Sequence, residues 1–372
     1  MNKDKLIPEL RFPEFNKEWT LEELEQCLDY LQPTPYLVES TDYKNEYETP
    51  VLTAGKSFIL GYTNEKEGVF SENLPVIIFD DFTTASQFVD FPFKTKSSAM
   101  KILLAKNGNN IKFVYEAMQT MNYEVGVHKR HWISVFSKLK IALPKPPEQQ
   151  KIASCLSSLD EVIAAHSQKL ELLKDHKKGL MQNLFPQENE NMPKYRFKEF
   201  EKDGEWVEKT FEQLFDIGNG RDYKHLEKGE IPVYGSGGYM LSVDDYLYDG
   251  ESVCIGRKGT IDKPMFLNGK FWTVDTLFYT HSFKDCLPKY IFYVFENINW
   301  RTHNEAGGVP SLSKTNIYKI KVLVPPSIIE QQKIASCLSS LDALITAQAE
   351  KIEQLKLHKK GLMQGLFPKI ND

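Results

Sequence analysis

Arg257 and Lys258 stand in GRKGT (256–260), with Gly256 and Gly259 on either side. Glycine lets a backbone approach a ligand closely. An arginine so placed can donate two parallel hydrogen bonds to guanine in a DNA major groove; the plain alternative is a solvated hairpin tip. A second group, Asp80, Asp81, Thr83 and Thr84 in FDDFTT (79–84), carries different chemistry. A carboxylate there can accept from cytosine N4, and threonine can meet a thymine methyl, or the carboxylates simply orient neighbouring cations. Lys94 and Lys96, followed by Ser97 and Ser98, form a polar turn suited to phosphate contacts. Lys129, Arg130 and His131 form another basic cluster, whose counterparts later in the chain are Ser311 and Leu312-Ser313-Lys314. Tyr234 and Ser236, in VYGSGG, can donate to DNA. Surface solvation is the competing explanation for each of these.

No catalytic pattern accompanies them. The Pro-Pro pairs, in KPPE (145–148) and VPPS (324–327), lack the Asn/Asp-Pro-Pro-aromatic form that an amino-methyltransferase uses to hold its target nitrogen. GRKGT lacks the GxxxxGK[ST] spacing of a phosphate loop, and GSGG lacks the third glycine of a dinucleotide fingerprint. Asp80-Asp81 looks like a metal-binding carboxylate pair, but no Asp/Glu-x-Lys nuclease continuation follows. The five cysteines (27, 155, 254, 286 and 337) form no CxxC and read as small buried thiols. No cofactor or metal is expected.

A length of 372 residues exceeds one ordinary domain. The net charge is −5; residues 20–145 carry 13 Lys+Arg against 16 Asp+Glu, and residues 207–324 carry 14 against 15. This argues against a simple basic nucleic-acid binder. Any DNA contact is local, and much of the phosphate neutralisation must come from a partner. No apolar run in the sequence is long enough to span a membrane, and no apolar signal core lies near MNKDKLIPEL. A cytoplasmic protein without membrane spans is therefore expected.

The elements that must position these loops are legible in a repeat. EQQKIASCLSSLD occurs at 148–160 and again at 330–342, and residues 148–186 and 330–368 agree at 29 of 39 positions. Seam positions alternate in steps of four and three through Ile152, Leu156, Leu159, Ile163, His166, Leu170 and Leu173, then Lys177, Leu180 and Leu184, all apolar but His166 and Lys177. The second copy runs Ile334, Leu338, Leu341, Ile345, Gln348, Ile352 and Leu355, then Lys359, Leu362 and Leu366. This is a coiled-coil seam. Each stem pairs most simply with the other, antiparallel, which gives approximate two-fold symmetry. His166 and Gln348 then either meet at the crossing and fix register, or His166 faces solvent. Lys177-Lys178 and Lys359-Lys360 favour the helix C-terminal dipole. Gly179 and Gly361 suggest a close backbone approach or an early helix end.

Each stem follows an unlike head. The heads open alike, with RFPEF (11–15) before Trp19 and RFKEF (196–200) before Trp206. Strands are predicted at 49–55, 74–84, 99–105 and 137–147 in head one, and at 231–240, 251–264 and 319–326 in head two. Helices are predicted at 110–121 and 287–298, and FLNGKFWTV (266–274) reads as a hairpin because Asn-Gly is a strong turn signal. The heads are mixed α+β.

The order of RF-x-EF, PVYGSGG, GRKGT, GGVPSL, a strand into Pro-Pro, and EQQKIA-x-x-L-x-x-LD, twice closed by a stem, resembles the specificity subunits of type I restriction–modification systems over essentially the whole chain. The resemblance implies an α+β protein with two target-recognition domains of similar fold, separated by two long antiparallel coiled-coil helices with pseudo-two-fold symmetry. The corresponding boundaries are 1–146, 147–186 (spacer), 187–324 and 325–372 (spacer). It implies a non-catalytic subunit whose domains each read one half of a bipartite, asymmetric site on double-stranded DNA. Two modification subunits dock on the stems, bind S-adenosylmethionine and methylate adenine N6; restriction subunits add ATP-dependent cleavage. The alternatives are an orphan or truncated specificity protein acting as a protein-interaction scaffold, and a catalytic methyltransferase or nuclease subunit.

Overall fold

A computed structural model describes residues 6–53, 57–121, 132–133, 135–187 and 189–370. Lys129, Arg130 and His131 lie outside them. The chain forms two compact units. Unit one joins Met1–Ser167 to Glu350–Asp372; unit two is Gln168–Ala349. Each unit is therefore one head with the first half of one stem and the second half of the other.

Among the described residues, head one has nine strands: β1 (Thr20–Glu23), β2 (Leu28–Leu31), β3 (Thr49–Leu52), β4 (Ile59–Thr63), β5 (Val76–Asp80), β6 (Ser86–Val89), β7 (Lys94–Thr95), β8 (Met100–Ala105) and β9 (Lys140–Leu143). β1 pairs with β9, so the strand that enters the head lies against the one that leaves it. A four-stranded sheet runs β2-β8-β5-β6, and a three-stranded one runs β4-β3-β7. Val76 to Phe79 on β5 are all fully buried, which explains a continuous VIIF run in place of alternation. The head helix, Ile111–Gln119, begins at Asn110, whose side chain accepts from the Phe113 N–H.

Head two repeats this plan with unlike residues. Its strands are β10 (Val207–Thr210), β11 (Asp216–Asn219), β12 (Lys228–Gly235), β13 (Gly238–Val243), β14 (Tyr248–Asp249), β15 (Ser252–Gly256), β16 (Met265–Leu267), β17 (Lys270–Thr273), β18 (Leu277–His281) and β19 (Lys321–Val324). The sheets are β10-β19, β11-β18-β15-β16 and β13-β12-β17-β14. Register fixes the equivalences. Asp80 opposes Met100 where Gly256 opposes Leu277, and Val51 opposes Lys94 where Val233 opposes Trp272. The expected 266–274 hairpin does not form. β16 pairs with β15, whereas β17 pairs with β12 and β14. Asn268-Gly269 thus carries the chain from one sheet to the other, with Gly269 at φ 88°. A turn signal sets the local chain reversal but not the strand that the next segment will join.

The stems are single helices, Pro146–Leu184 and Ile328–Leu366. In unit one, Lys359 meets Asp160 at 2.7 Å, and Leu366 shares a core cluster with Ile152 and Leu156. In unit two, Lys177 meets Asp342 at 2.7 Å, and Leu184 shares a cluster with Ile334 and Leu338. Ascending one stem descends the other, so the helices are antiparallel. The seam positions Leu159, Ile163, His166, Leu170 and Leu173 are half-buried, and Leu341, Ile352 and Gln348 are buried, with Ile345 and Leu355 half-buried. One reading gains detail here and another changes. Lys177 and Lys359, the lysines of the seam, are each held among carboxylates. Gly179 and Gly361 mark neither a close approach nor a helix end, since a Cβ at either would meet nothing within 4 Å and both helices continue past them.

The repeated words have repeated jobs. Arg11 donates to both oxygens of Glu148 (2.7 and 2.9 Å), and Arg196 to both of Glu330 (2.7 and 2.7 Å). Both carboxylates are buried, so losing either arginine would strand an uncompensated charge, a far costlier loss than breaking a surface pair. The Leu10 N–H donates to the Gly365 carbonyl, and the Tyr195 N–H to the Asn183 carbonyl. Each RF-x-EF segment is thus a clip joining the start of one stem to the end of the other. The next residue of the motif fastens the head helix. Gln149 Oε1 accepts from the Asn110 N–H at 2.8 Å, and Gln331 Oε1 from the Leu287 N–H at 2.9 Å.

Candidate nucleic-acid interface

In head two the β15–β16 loop is clamped on two sides. The Arg257 and Lys258 N–H groups both donate to the Thr276 carbonyl, at 2.8 and 3.3 Å. The Leu312 N–H donates to the Arg257 carbonyl, and the Gly259 N–H to the Pro310 carbonyl, both at 2.9 Å. Lys258 and Ser311 form an isolated antiparallel bridge. The backbone is fixed while the Arg257 and Lys258 side chains stay exposed. Such a fixed loop loses little freedom on binding. Gly256 is required by packing, because a Cβ there would collide with the Thr260 carbonyl.

The GSGG turn joins this loop, since a Cβ on Gly259 would sit 3.3 Å from Ser236 Oγ. Beside it opens a cleft of about 550 Å³, lined by 222–224, 235–240 and 274–276. Arg257, Lys258, Ser236 and Ser311 are therefore brought together. Tyr234 is half-buried against the Cys254–Phe271–Leu277 cluster, edge-on to Tyr239. Lys314 donates to the Ile217 carbonyl at 2.6 Å and sits over the Tyr318 ring, which ties it to the end of β11.

Sequence reasoning missed Arg221 and Lys224. Both are exposed in the β11–β12 loop, and Lys224 lines the cleft. The signal is present: GNGRDYK (218–224) sets cations behind glycines as GRKGT does. Gly220 admits no side chain, because a Cβ there would collide with the Val274 carbonyl.

Head one puts other chemistry in the equivalent loop. Asp80 follows the same register as Gly256 and turns inward, its Oδ1 accepting from the Phe82 and Thr83 N–H groups at 2.8 and 2.7 Å. Thr83 is exposed at the tip and Thr84 half-buried with φ 60°. Asp81 is 1% exposed; it lies 3.4 Å from Lys101, also 1% exposed, and accepts from the Trp132 N–H at 2.8 Å. Lys101 gives its hydrogen bond to Gln32 Oε1 instead, so Asp81 Oδ2 has a charge partner but no donor. The cause is the facing strand. β8 carries Lys101 where β18 carries Phe278, and a buried ammonium demands a carboxylate. Asp81 is thereby corrected from a base-contacting candidate to an internal strut. It faces Lys101 and an N–H group, which is no arrangement for a metal.

Lys94 is likewise buried, at 3% exposure, with Nζ 2.7 Å from Glu65 and donating to the Glu67 carbonyl. Burial works to raise the Glu65 carboxyl, but Lys94 and the Ser40 and Glu39 N–H groups outweigh it and hold it below its usual range. Lys94 therefore leaves the phosphate-facing set. Lys96 stays exposed over the Tyr43 ring.

Burial pushes the thiols of Cys27 and Cys286 up to about 11 and that of Cys254 up to about 12. These cysteines are packing residues. Among the described residues no helix is long and apolar enough to cross a membrane.

Comparison with known proteins places this geometry. The chain matches the model of the type I restriction modification DNA specificity domain twice, over residues 16–175 and 203–357. It is 32% identical over 378 residues to the EcoR124I/EcoR124II type I restriction enzyme specificity subunit of Escherichia coli, covering 91% of this chain and 90% of that protein. It is 27% identical over 249 residues to the putative MjaX specificity subunit of Methanocaldococcus jannaschii, covering 62% and 58%. The crystal structure of a type I restriction-modification S subunit from M. genitalium matches with a TM-score of 0.71 at 18% identity, over 98% of this chain and all of that one.

Proposed function

From the premise that this chain belongs to the family of type I restriction–modification specificity subunits, we propose that it reads a bipartite, asymmetric site on double-stranded DNA, one half per head. One observation carries the reading. Two heads of the same strand register set unlike chemistry in the equivalent loop, Asp80-Thr83-Thr84 in one and Arg257-Lys258 in the other. Equal frames with unequal loops are what unequal half-sites require. Arg257 reads a base, by the bidentate geometry open to arginine and guanine. Lys258, Arg221, Lys224 and Lys96 hold phosphates. Ser236 and Ser311, beside the Arg257 loop, add hydrogen bonds, Tyr234 adds one from the strand before the GSGG turn, and Lys314 positions the segment beneath. Lys129 and Arg130, outside the described residues, add basic DNA contacts from head one.

The stems act as the ruler. At about 1.5 Å per residue, a 39-residue helix is about 58 Å long. With about 34 Å per turn of DNA, a helix of that length permits half-sites roughly one to one and a half turns apart. The outer faces of the stems dock two modification subunits that methylate adenine, and restriction subunits join through that complex. The net charge of −5 favours this division of labour, because a chain so poor in excess cation needs partners to neutralise phosphate.

The test is methylome sequencing of a host expressing this chain with its modification partner. The expected result is one asymmetric motif with a fixed gap, methylated on adenine. Methylation without any such motif supports a protein scaffold instead. Methylation or cleavage by the isolated chain defeats the non-catalytic reading.

A further inference from the structure

The β3–β4 and β12–β13 hairpins share a feature that neither loop chemistry nor the family match uses. Each has a β-bulge at the same place, between Val51 and Leu52 in head one and between Val233 and Tyr234 in head two. A bulge re-aims side chains out of the sheet. Here it leaves Ile59 and Leu60 at 39% and 42% exposure, and Tyr239 and Met240 at 62% and 47%. Leu52 opposes Ile59 as Tyr234 opposes Tyr239, so the pairs are equivalent by register. Two heads that diverge in their polar loops both project two large apolar side chains from one bulge.

The surroundings say what covers them. Tyr239 and Met240 line the head-two cleft with Lys224, Asp275 and Thr276. Thr276 holds the Arg257 backbone, and the Arg257 guanidinium reaches the Asp275 carbonyl at 3.5 Å. In head one the Lys96 N–H donates to the Leu52 carbonyl, and its side chain is exposed beside the hairpin. Exposed apolar pairs beside exposed cations suit a base stack between phosphates, despite the Asp222 and Asp275 carboxylates in the head-two cleft. Ile-Leu and Tyr-Met have no donor pattern in common, only apolar bulk. The Tyr239 hydroxyl is already engaged with Ser242 Oγ at 3.1 Å.

We propose that each bulged hairpin is an apolar wedge that presses on the base stack of duplex DNA, contributing affinity and unstacking without sequence preference, while the neighbouring loop selects the bases. Apolar side chains wedged between base steps unstack them, as minor-groove binders do; here the wedge stands beside the Arg257 loop. The inference rests on the DNA-reading function proposed above.

The experiment uses the complete specificity chain with its modification subunits and a duplex carrying the motif found in the methylome. 2-Aminopurine is placed through the half-site read by head two. Wild-type complex raises its fluorescence on binding. The Y239S/M240S variant is expected to bind roughly tenfold or more weakly, with the fluorescence rise lost, and with salt dependence and half-site preference unchanged. I59S/L60S should do the same at the other half-site, so the result does not hang on one variant. All four positions are at least 39% exposed, so folding, checked by thermal melting, is expected to hold. Unstacking and affinity equal to wild type overturn the wedge. So does an altered base preference, which makes the pair a reader, or a failure to assemble with modification subunits, which makes it a protein contact. A wild-type complex with no sequence preference removes the parent reading as well, and is distinguished by failing before any variant is made.

Discussion

Lys359→Met removes one cation from a balanced four-charge cluster in unit one. Lys359 Nζ lies 2.7 Å from Asp160 and 2.9 Å from Glu116, and Lys112 Nζ lies 2.7 and 2.8 Å from the same two carboxylates. The substitution leaves two carboxylates on one ammonium, and Glu116 is fully buried. Breaking a buried pair costs about 3–5 kcal/mol. Side-chain exposures of 17% for Lys359 and 36% for Asp160 admit some solvent, which lowers the expectation to about 2–3 kcal/mol. Methionine keeps the length and apolar stem of lysine, so little packing is lost. Hydrogen exchange of the Ile111–Gln119 amides reports unit one alone. Protection there should fall by about 30-fold or more, at about 1.4 kcal/mol per tenfold. K359M/D160N leaves Lys112 with Glu116 alone and should recover at least half of the loss. The pH dependence has a definite sign. Burial works to raise the Asp160 carboxyl, but Lys112 and Lys359 outweigh it and hold it below its usual range. Its contribution is therefore present above the unfolded value near pH ~3.9 and is lost as pH falls through the lower folded value. The gap between wild type and K359M should close below about pH 4. Three results would refute the charge-balance argument. One is a loss no greater than an exposed pair is worth; another is a double variant no better than the single; the third is a gap that widens in acid.

Other expectations follow from the same geometry. Arg257→Ala should relax base preference at one position of one half-site by about 1–3 kcal/mol, read as methylation of sites degenerate at that base; a shift in both half-sites would count against it. Lys258→Ala should weaken binding evenly across sequences and reduce the salt slope by about one. A fragment of residues 1–186 lacks the Glu350–Asp372 part of unit one, but a second copy can supply its own residues 168–186, which match 350–368 closely. It should dimerise and, with modification subunits, act on a symmetric motif; a strictly monomeric, inert fragment would sink the pseudo-two-fold account.

What the sequence discloses and what it hides follow from range. The stem repeat and the buried strands rest on patterns within a few residues, and helices and strands form where those patterns lie. Lys359 reads as a seam lysine suited to the helix C-terminal dipole, but its partner Glu116, 243 positions away, cannot be seen from its neighbours. Asp81 reads as a base-contacting residue because the lysine that claims it sits on another strand. The Asn268-Gly269 turn is plain in the sequence, but the sheet that β17 joins is decided by β12, far earlier in the chain. Arg221 and Lys224 are legible from their glycines alone. The two bulges surface only when the registers of two hairpins are compared, since nothing in ILGY and GYML looks alike.

The discontinuity of unit one has a consequence for synthesis. Unit two is one unbroken stretch, Gln168–Ala349, and all of it is made before unit one receives Glu350 and beyond. Head one therefore emerges first but is completed second. At about 5–20 residues per second, the apolar face of Ile152, Ala153 and Leu156 waits roughly 10–40 s for Leu366 and Phe367. During that interval a neighbouring nascent chain can offer the same LFP ending from its residues 184–186. Crowded polysomes should thus favour exchanged pairs, and slow translation across head two should raise their yield.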